Sequence, residues 1–413
     1  MKKVLFITYY FPPYTSSGVF RPLKFVKYLM REGSWEPIIL TLNQDSFKDR
    51  PRDYTLSKNI PEELKIYYAN SLEPNQDSTN NYKEIYREAH IPDHAYGSFM
   101  HFVIKALQII KEQEINLIFC TIPPYTMGLI GTTIKEITNI PMIVDYRDGW
   151  VNGNMMNKFR TEEGKHINTY LENKLLQNAD AAIFVNREVA EVSLKQFPKI
   201  KQLVAPNGYD LEDFNNLRKV NTKKFKIGNK KQIVWCGHIY NDYVDHILKM
   251  AQAINVLNED GHDLEFVIAG TLQSEDILER LEFNYYSHIR FLGNISYEDS
   301  ILLTNDADIN FGVHILEYSI GSRFYNLIPT FKPIIAFYNT ENKYIPRFFE
   351  NYPLKELFSL DASVRGISNG IVRLINSNYR MNGNKVIDSY KEYSRENNAY
   401  KLIDLFNQIS LSQ

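Results

Sequence analysis

Charged residues stand directly after one of the most apolar segments of the chain, in the run Asp145–Trp150, which reads DYRDGW. The predicted strand Met142–Asp145 leads into this run, and charged side chains at the end of a buried strand are costly unless they are paired. We therefore predict that Arg147 and Asp148 belong to a catalytic loop. A salt bridge between Arg147 and an aspartate, which would only support the loop, is the alternative.

Two predicted helix starts could hold an anion. The first apolar run, Val4–Tyr9, leads into a loop of small residues with Ser17 and Gly18, and a helical pattern follows. Backbone N–H groups and the dipole at such a helix start favour a phosphate, although a plain strand-to-helix turn would have the same sequence. In the second, Ser322 can cap a helix, and Arg323 lies in its first turn, where the dipole disfavours a cation. A bound anion at Arg323 would remove that conflict.

Small residues also end strands in the second half of the chain. Gly237 and His238 follow the run Gln232–Cys236, and Gly270 closes the next run. A glycine at the carboxyl end of a strand lets a ligand approach the backbone. We therefore expect all three to bind a ligand, with a structural role for His238 left open. Asn207 forms an Asn-Gly turn near the predicted domain boundary and is a further binding candidate.

These candidates lie at the ends of short β-rich runs that alternate with helical segments in two series. Apolar runs of this kind are typical of parallel strands covered on both faces. The first series contains Val4–Tyr9, Pro37–Leu40, Lys65–Tyr68, Leu117–Thr121, Met142–Asp145, Ala182–Val185 and Gln202–Ala205. The second contains Gln232–Cys236, Leu264–Ala269, Ile289–Leu292, Ala307–Phe311 and Pro333–Ala336. The predicted fold class is α/β, with two Rossmann-like domains whose parallel sheets face each other across a cleft.

A polar stretch rich in lysine and asparagine, Asp210–Lys231, separates the two series. We predict a first domain over residues 1–210 and a second over residues 211–388. The closing segment, residues 389–410, has apolar residues at helical spacing and is expected to pack back on the first domain. The polar segment Asn70–Asp93 is predicted to be an exposed insertion in the first domain.

The composition narrows the classes of function. A net charge of −2 over 413 residues gives no bias toward nucleic acid. Two cysteines are too few for a zinc site or a disulfide framework and indicate a reducing compartment. The apolar start is better explained by a buried strand than by a signal peptide, and no run of about 18 apolar residues occurs. We predict a cytoplasmic protein.

No metal or other cofactor is expected. Asp306 and Asp308 could bind a metal as an Asp-x-Asp pair, but a helix-to-strand turn is the favoured interpretation because Asn178-Ala179-Asp180 is a similar break in the first half. No G-x-G-x-x-G follows the first strand, which argues against a nicotinamide or flavin cofactor.

The first predicted helix carries a basic stripe. A solvated face is one explanation of this pattern. Contact with the anionic inner face of the cell membrane, where a lipid-linked acceptor would be found, is the other. The stripe consists of Arg21, Lys24, Lys27 and Arg31.

In these segments the chain resembles the family-4 glycosyltransferases of the GT-B fold, of the bacterial cell-surface polysaccharide type. The shared features follow the family's order over nearly the whole length. They are the opening strand with Phe11-Pro12-Pro13 and Ser17-Gly18, the D-[FY]-R-D-x-W motif at Asp145–Trp150, the stretch from Leu171-Glu172-Asn173-Lys174 to Asn178-Ala179-Asp180, the turn Asn207-Gly208-Tyr209-Asp210, and the S-[KR]-x-Y-[ED]-x-L-x-x-x-K-P-like run at Ser322–Pro333.

The resemblance implies a hexosyltransferase of polysaccharide biosynthesis. It would transfer sugar from a nucleoside diphosphate donor to a glycan or lipid-linked acceptor, with retention of configuration and without a metal. By position, Gly18 would lie near the diphosphate and the acceptor, and Arg323 would hold the diphosphate. Arg147 stands where many relatives have a histidine and could stabilise charge on the sugar or phosphate. Asp148 could orient an acceptor hydroxyl, and the departing phosphate would serve as the base.

Three departures from the family pattern leave other functions open. Asn326 replaces the glutamate that usually binds the ribose, the loop after Gly237 is acidic (Asn241, Asp242 and Asp245), and Pro329-Thr330-Phe331 replaces a small-residue turn. A sugar-nucleotide 2-epimerase of the same fold is one alternative. A sugar-nucleotide-binding scaffold protein with little or no activity is the other.

Overall fold

The computed structural model describes residues 1–43, 45, 50–72, 90–151, 161–218, 224–281, 286–317 and 319–411. The chain divides into two compact units. Unit 1 comprises Met1–Asn207 and Arg395–Gln413, and unit 2 comprises Gly208–Ser394. Most of the predicted insertion, Asn70–Asp93, lies outside the described residues, as do residues 219–223 of the predicted linker.

Unit 1 is built on a seven-stranded parallel sheet in the order β3-β2-β1-β4-β5-β6-β7. The strands are β1 (Lys2–Ile7), β2 (Trp35–Leu42), β3 (Lys65–Ala69), β4 (Leu117–Ile122), β5 (Met142–Tyr146), β6 (Ala181–Phe184) and β7 (Lys201–Val204). The helices between them are α1 (Ser17–Glu32), α2 (Phe99–Gln113), α3 (Thr126–Thr138), α4 (Glu162–Asn178) and α5 (Arg187–Ser193). Single 3-10 turns occupy Leu56–Asn59 and His94–Ser98.

Unit 2 is built on a six-stranded parallel sheet in the order β10-β9-β8-β11-β12-β13. The strands are β8 (Lys231–Cys236), β9 (Leu264–Ala269), β10 (Ile289–Phe291), β11 (Ile309–His314), β12 (Ile334–Tyr338) and β13 (Lys355–Ser359). The helices are α6 (Leu211–Arg218), α7 (Val244–Glu259), α8 (Ile277–Arg280), α9 (Tyr297–Asp306), α10 (Ser322–Leu327), α11 (Tyr344–Phe349), α12 (Val364–Ile375) and α13 (Gly383–Ser389). Single 3-10 turns lie at Asn241–Tyr243, Ile328–Thr330 and Lys391–Tyr393.

The last helix, α14 (Arg395–Ser410), belongs to unit 1. Its Phe406 ring lies 5.4 Å from the Trp35 ring and 5.8 Å from the Phe119 ring. The indole N–H of Trp35 donates to the side chain of Asn407 at 2.9 Å. Aromatic packing and this hydrogen bond therefore hold the end of the chain on the sheet that its beginning forms.

The α/β fold class with two parallel sheets is confirmed, and each strand predicted from an apolar run is present. Strand β13 was not predicted, because its five residues are only half-buried and begin with Lys355 and Glu356. The favoured turn at Asp308 is present as well. Its carboxylate accepts the backbone N–H of Gln232 at 2.8 Å and pairs with Lys226 at 2.7 Å.

The basic stripe on α1 is not the surface feature that was predicted. Arg21 and Lys24 are only 2% and 1% exposed, so a membrane contact through all four residues is wrong. The helix turns this part of the stripe inward because Arg21 has a buried acidic partner, described below. No helix within the described ranges has both the length and the apolar content that a membrane span requires.

Candidate functional site

Both sheets reverse their strand order at an interior point, between β1 and β4 in unit 1 and between β8 and β11 in unit 2. Ligands of open α/β sheets bind outside the carboxyl ends of the strands at such points, because the flanking connections leave in opposite directions and open a crevice. Most of the residues predicted to bind a ligand follow these strands or their immediate neighbours.

In unit 1 the side chain of Arg147 lies against Gly18. Gly18 is buried in the first turn of α1, and a Cβ atom built on it would lie only 2.0 Å from Arg147 Nη1. The backbone N–H of Arg147 donates to Ile122 at the end of β4 at 2.8 Å, which fixes where the side chain starts. The structure therefore brings two predicted site residues together, and only glycine leaves room for the guanidinium.

The guanidinium of Arg147 is partly unsatisfied. Its Nε atom is buried and has no hydrogen-bond partner in the described part of the chain. Burial lowers the pKa of Arg147, while the carboxylates of Asp148 and Asp145 act in the opposite direction. Arginine remains a cation under such conditions, and an anionic ligand would supply the missing partner. Asp148 itself is exposed.

The first aspartate of the DYRDGW run has a structural role that the sequence analysis missed. Asp145 is fully buried and forms a two-pronged ion pair with Arg21 of α1 at 2.7–3.0 Å. The Thr121 hydroxyl donates to the same carboxylate at 2.9 Å, and Arg21 also donates to the carbonyl of Ala205 at 2.8 Å. The basic partner of Asp145 is therefore Arg21 and not the neighbouring Arg147. The ion pair could have been predicted from two features of the sequence, an aspartate at the end of a strand and an arginine at an inward position of the first helix.

Trp150 anchors the other end of this loop. It is fully buried, and its ring stacks on Tyr125 at 4.6 Å with planes 12° apart. Its indole N–H donates to Asn168 of α4 at 2.9 Å, and the Tyr125 hydroxyl donates to the carbonyl of Gly149 at 2.6 Å. The tryptophan of the motif is therefore a buried support that holds the loop in place.

In unit 2 the side chain of Arg323 stacks on Trp235, the fifth residue of β8. The guanidinium carbon lies 3.5 Å from the centre of the indole ring. Arg323 Nη2 donates to the carbonyl of His238 at 3.3 Å. A Cβ atom on Gly237 would lie 2.5 Å from the same nitrogen, so this glycine again makes room for an arginine. The sequence analysis missed Trp235, which looked like an ordinary core residue.

Two nitrogens of the Arg323 guanidinium, Nε and Nη1, are buried without a hydrogen-bond partner among the described residues. Burial lowers the pKa of Arg323 to about 10. The predicted cap is wrong, because Gly321 is the N-cap of α10 and Ser322 is the first helical residue. Since α10 has only six residues, its dipole is weak, and the Trp235 ring rather than an anion accounts for the position of Arg323.

Gly237 and Gly270 have φ angles of +140° and +141°, a region that residues with a side chain rarely adopt. A Cβ atom on Gly270 would lie 2.0 Å from the carbonyl oxygen of Gly237. The Gly237 backbone and Arg323 thus occupy the space that a side chain at these two positions would need. His238 lies beside them, with its ring held by Thr271 Oγ1 at 2.7 Å.

The remaining predicted site residues make fewer contacts. Ser17 is exposed at the start of α1, Asn326 is half-buried one turn after Arg323, and Asn207 is half-buried at the end of unit 1. No side-chain hydrogen bond is seen for these three within the described ranges. Their predicted roles therefore stay predictions.

No protein-family model matches the sequence, and no curated protein matches it. Solved structures do resemble it over almost the entire chain. A sucrose-phosphate synthase from Thermosynechococcus elongatus superposes with a TM-score of 0.66 at 15% identity, covering all of both chains. A glycosyltransferase from Rickettsia africae ESF-5 gives 0.64 at 14% identity, over 99% of this chain and 98% of that one.

A UDP-GlcNAc 2-epimerase from Neisseria meningitidis, solved with UDP-GlcNAc bound, gives a TM-score of 0.56 at 13% identity, over 99% of this chain and all of that one. Identities this low establish the fold alone, which is the GT-B fold that glycosyltransferases and these epimerases share. The family-4 assignment is not established by these similarities.

Proposed function

We propose that this chain is a glycosyltransferase that transfers a sugar from a nucleoside diphosphate sugar to a glycan or lipid-linked acceptor in polysaccharide biosynthesis. The supporting observation is Arg323, whose Nε and Nη1 atoms are buried beside the switch point of the second sheet and have no hydrogen-bond partner among the described residues. A planar guanidinium fork binds phosphate oxygens in pairs. Trp235 holds the fork at 3.5 Å, so little side-chain freedom remains to be lost on binding.

Unit 1 would supply the catalytic residues. Arg147, which lies against Gly18 with its Nε unpartnered in the described part of the chain, would stabilise negative charge as the sugar–phosphate bond breaks. Asp148 is exposed beside it and would orient the acceptor hydroxyl. The departing phosphate would take the proton of that hydroxyl, so the new bond forms with retained configuration and without a metal. These roles follow the resemblance stated above.

The proposal includes a cytoplasmic location, which the two cysteines support because both are free thiols. It does not include a membrane contact through α1, since Lys27 is half-buried and only Arg31 of the four basic residues is exposed.

An epimerase is the second candidate, because the Neisseria meningitidis enzyme has the same fold. The two reactions differ in what becomes of the sugar nucleotide. A transferase releases the nucleoside diphosphate and glycosylates an acceptor, whereas an epimerase returns an isomeric sugar nucleotide. A scaffold protein would bind the nucleotide and do neither.

A ligand panel tests the proposal. The purified chain is screened by thermal shift against UDP, GDP, dTDP and CMP sugars, because a ligand of the native state raises the melting temperature by mass action. Any ligand found is incubated with acceptors, and the products are resolved by NMR. We expect release of nucleoside diphosphate and a glycoside with the donor's anomeric configuration. Arg323→Ala should lose the thermal shift, and Arg365→Ala, an exposed arginine of unit 2, should keep it. An isomerised sugar nucleotide, or binding without turnover, would overturn the proposal.

A further inference from the structure

The loop that carries Arg147 and Asp148 is held on one side by a buried acid. Glu172 of α4 is 3% exposed, and its Oε2 atom accepts the backbone N–H of Val151 at 3.0 Å. The hydroxyl of Tyr146 lies near the same carboxyl group and influences its ionisation. Neither Glu172 Oε1 nor Tyr146 Oη has a hydrogen-bond partner among the described residues. This carboxyl group therefore holds one end of the loop, at Val151, and lies near the other end, at Tyr146.

A carboxylic acid is an energetically unfavourable side chain for accepting a hydrogen bond at a buried position. A buried carboxylate without a basic partner pays a large desolvation cost, and no lysine or arginine of the described ranges pairs with Glu172. Glutamine would accept the Val151 N–H with no charge to bury. An acid at this position thus does something that an amide would not do, and the loop it contacts carries both predicted catalytic residues.

We propose that Glu172 is a positioning residue, which holds the Arg147 and Asp148 loop in its working geometry through the N–H of Val151. The inference rests on the proposed function, because Arg147 and Asp148 have their roles only in a transferase. Glu172 itself touches neither a substrate nor the reacting atoms in this scheme.

The surroundings of Glu172 make the contact sensitive to pH. Desolvation raises the pKa of Glu172 to about 7, and the hydrogen bond from the Val151 N–H opposes the shift. The phenols that face it are Tyr146 of β5 and Tyr125 at the start of α3, and burial raises the pKa of both well above the ordinary value. Both phenols stay neutral near pH 7, so Glu172 is the group that changes charge there.

The ionised carboxylate should be the working form. A hydrogen bond from an N–H to a carboxylate is about twice as strong as one to a neutral acceptor. Turnover should therefore rise as the pH passes upward through about 7. Glu172→Gln keeps the size and one acceptor oxygen but cannot ionise, so its kcat at pH 8 should fall about fivefold and the rise should vanish. Glu172→Leu removes the acceptor and should lower kcat about 100-fold.

The test compares kcat and donor KM across the pH range for the wild type, Glu172→Gln and Glu163→Gln. Glu163 lies exposed in the first turn of the same helix and controls for the loss of an acidic side chain. We expect a lower and flatter kcat profile with unchanged donor KM for Glu172→Gln alone. A Glu172→Gln profile identical to that of the wild type would overturn the positioning role while leaving the transferase intact.

Amide hydrogen exchange of the segment 146–151 gives a readout without turnover. If the wild type transforms no sugar nucleotide, the proposed function fails, and exchange still decides whether Glu172 fixes the loop. Exchange at Val151 should be faster in Glu172→Gln than in the wild type at pH 8, and Glu163→Gln should match the wild type. Equal protection in the Glu172→Gln and wild-type chains would overturn the inference.

Discussion

The two units place an arginine against a glycine near the switch point of each sheet, but they support it by different means. In unit 1, Gly18 lies within the helix α1 and Arg147 comes from the loop after β5. In unit 2, Gly237 directly follows β8 and Arg323 comes from α10. Both arginines have buried nitrogens without partners among the described residues. The recurrence suggests a shared requirement, a cation kept ready for an anion, that two unrelated local structures meet.

The two units differ most in the groups that lie next to each arginine. In unit 1, the buried ion pair with Arg21 neutralises the charge of Asp145 at the end of β5. The charge of Arg147 is therefore not needed to neutralise that aspartate. Unit 2 has the neutral indole of Trp235, stacked on the guanidinium itself. An aromatic face holds an arginine without consuming its hydrogen-bond donors. Arg323 is therefore suited to binding a diphosphate, and Arg147 sits on a loop whose position depends on ionised groups.

The loop that carries Arg147 and the loop that precedes Arg323 each depend on a buried polar side chain. Asn342 in unit 2 is fully buried and donates to the carbonyls of Leu316 and Ser319 at 2.6 and 2.8 Å. The side-chain carbonyl of Asn342 accepts the backbone N–H of Tyr344 at 2.8 Å. In unit 2 a neutral amide thus anchors the loop, where unit 1 has the ionisable acid Glu172. A dependence on pH near 7 is expected from the unit 1 loop only.

The largest effect should come from breaking the ion pair of unit 1. Arg21→Ala should lower the free energy of unfolding by about 3–5 kcal/mol, because it leaves the Asp145 carboxylate buried without a cation. A double variant with Asp145→Leu should lose less than the sum of the two single changes. Denaturant unfolding measures both. Lys65→Ala, which removes a partly exposed pair with Glu36, is the control and should cost less than about 1 kcal/mol. Additive losses would show that the pair does not act as a unit.

The next effect separates catalysis from stability in unit 1. Arg147→Ala should lower kcat about 100-fold or more with donor KM changed much less, because it removes charge stabilisation in the transition state. Asp148→Asn should act on acceptor KM and on kcat. Steady-state kinetics and melting temperature on the same preparations decide the matter, with the exposed Arg187→Ala of the same unit as control. Variants that melt early yet turn over normally when folded would assign the loop a purely structural role.

Replacing Arg323 should affect nucleotide binding rather than turnover, the opposite of the pattern expected for Arg147. Arg323→Ala should weaken binding of the nucleoside diphosphate by about 1.5–3 kcal/mol, the range for a hydrogen bond to a charged group. Arg323→Lys should recover only part of this, because an ammonium neither stacks on Trp235 like a guanidinium nor forms a fork. Calorimetry measures the affinity. Since no carboxylate loses its partner, the stability of the variant should fall far less than that of Arg21→Ala, and a comparable fall would contradict the comparison.

The smallest effects should distinguish the two glycines. Gly18→Ala would place a methyl group against the flexible end of Arg147, so turnover should fall while stability holds or rises by up to about 0.5–1 kcal/mol, since alanine favours a helix. Gly237→Ala would also force a side chain onto a φ of +140°, so it should lose stability as well as nucleotide binding. Melting temperatures of the two variants, read beside their activities, test this. If the melting temperature of Gly18→Ala is as low as that of Gly237→Ala, the expectation that the helix accepts alanine in place of Gly18 is wrong.

Hydrophobic periodicity predicted the architecture well, because a strand buried on both faces needs a continuous apolar run and shows it in sequence. The strand that escaped, β13, is half-buried and carries charged residues. The basic stripe on α1 failed for a related reason. Spacing shows that Arg21 and Lys24 share a helix face, but whether that face meets water depends on a partner, Asp145, that lies 124 residues away.

The residues of the candidate site were predictable as types and positions, namely an arginine and an acid after β5, glycines at strand ends and an arginine near a helix start. The sequence alone determined these residue types and positions, because the local hydrophobic pattern fixes where each strand of a parallel sheet ends. Which of them touch was decided only by the tertiary structure. The pairing of Arg147 with Gly18, the stack of Arg323 on Trp235 and the burial of Glu172 all join segments distant in the chain. Distances between such segments, and the desolvation that shifts a pKa, arise only when the sheet has formed.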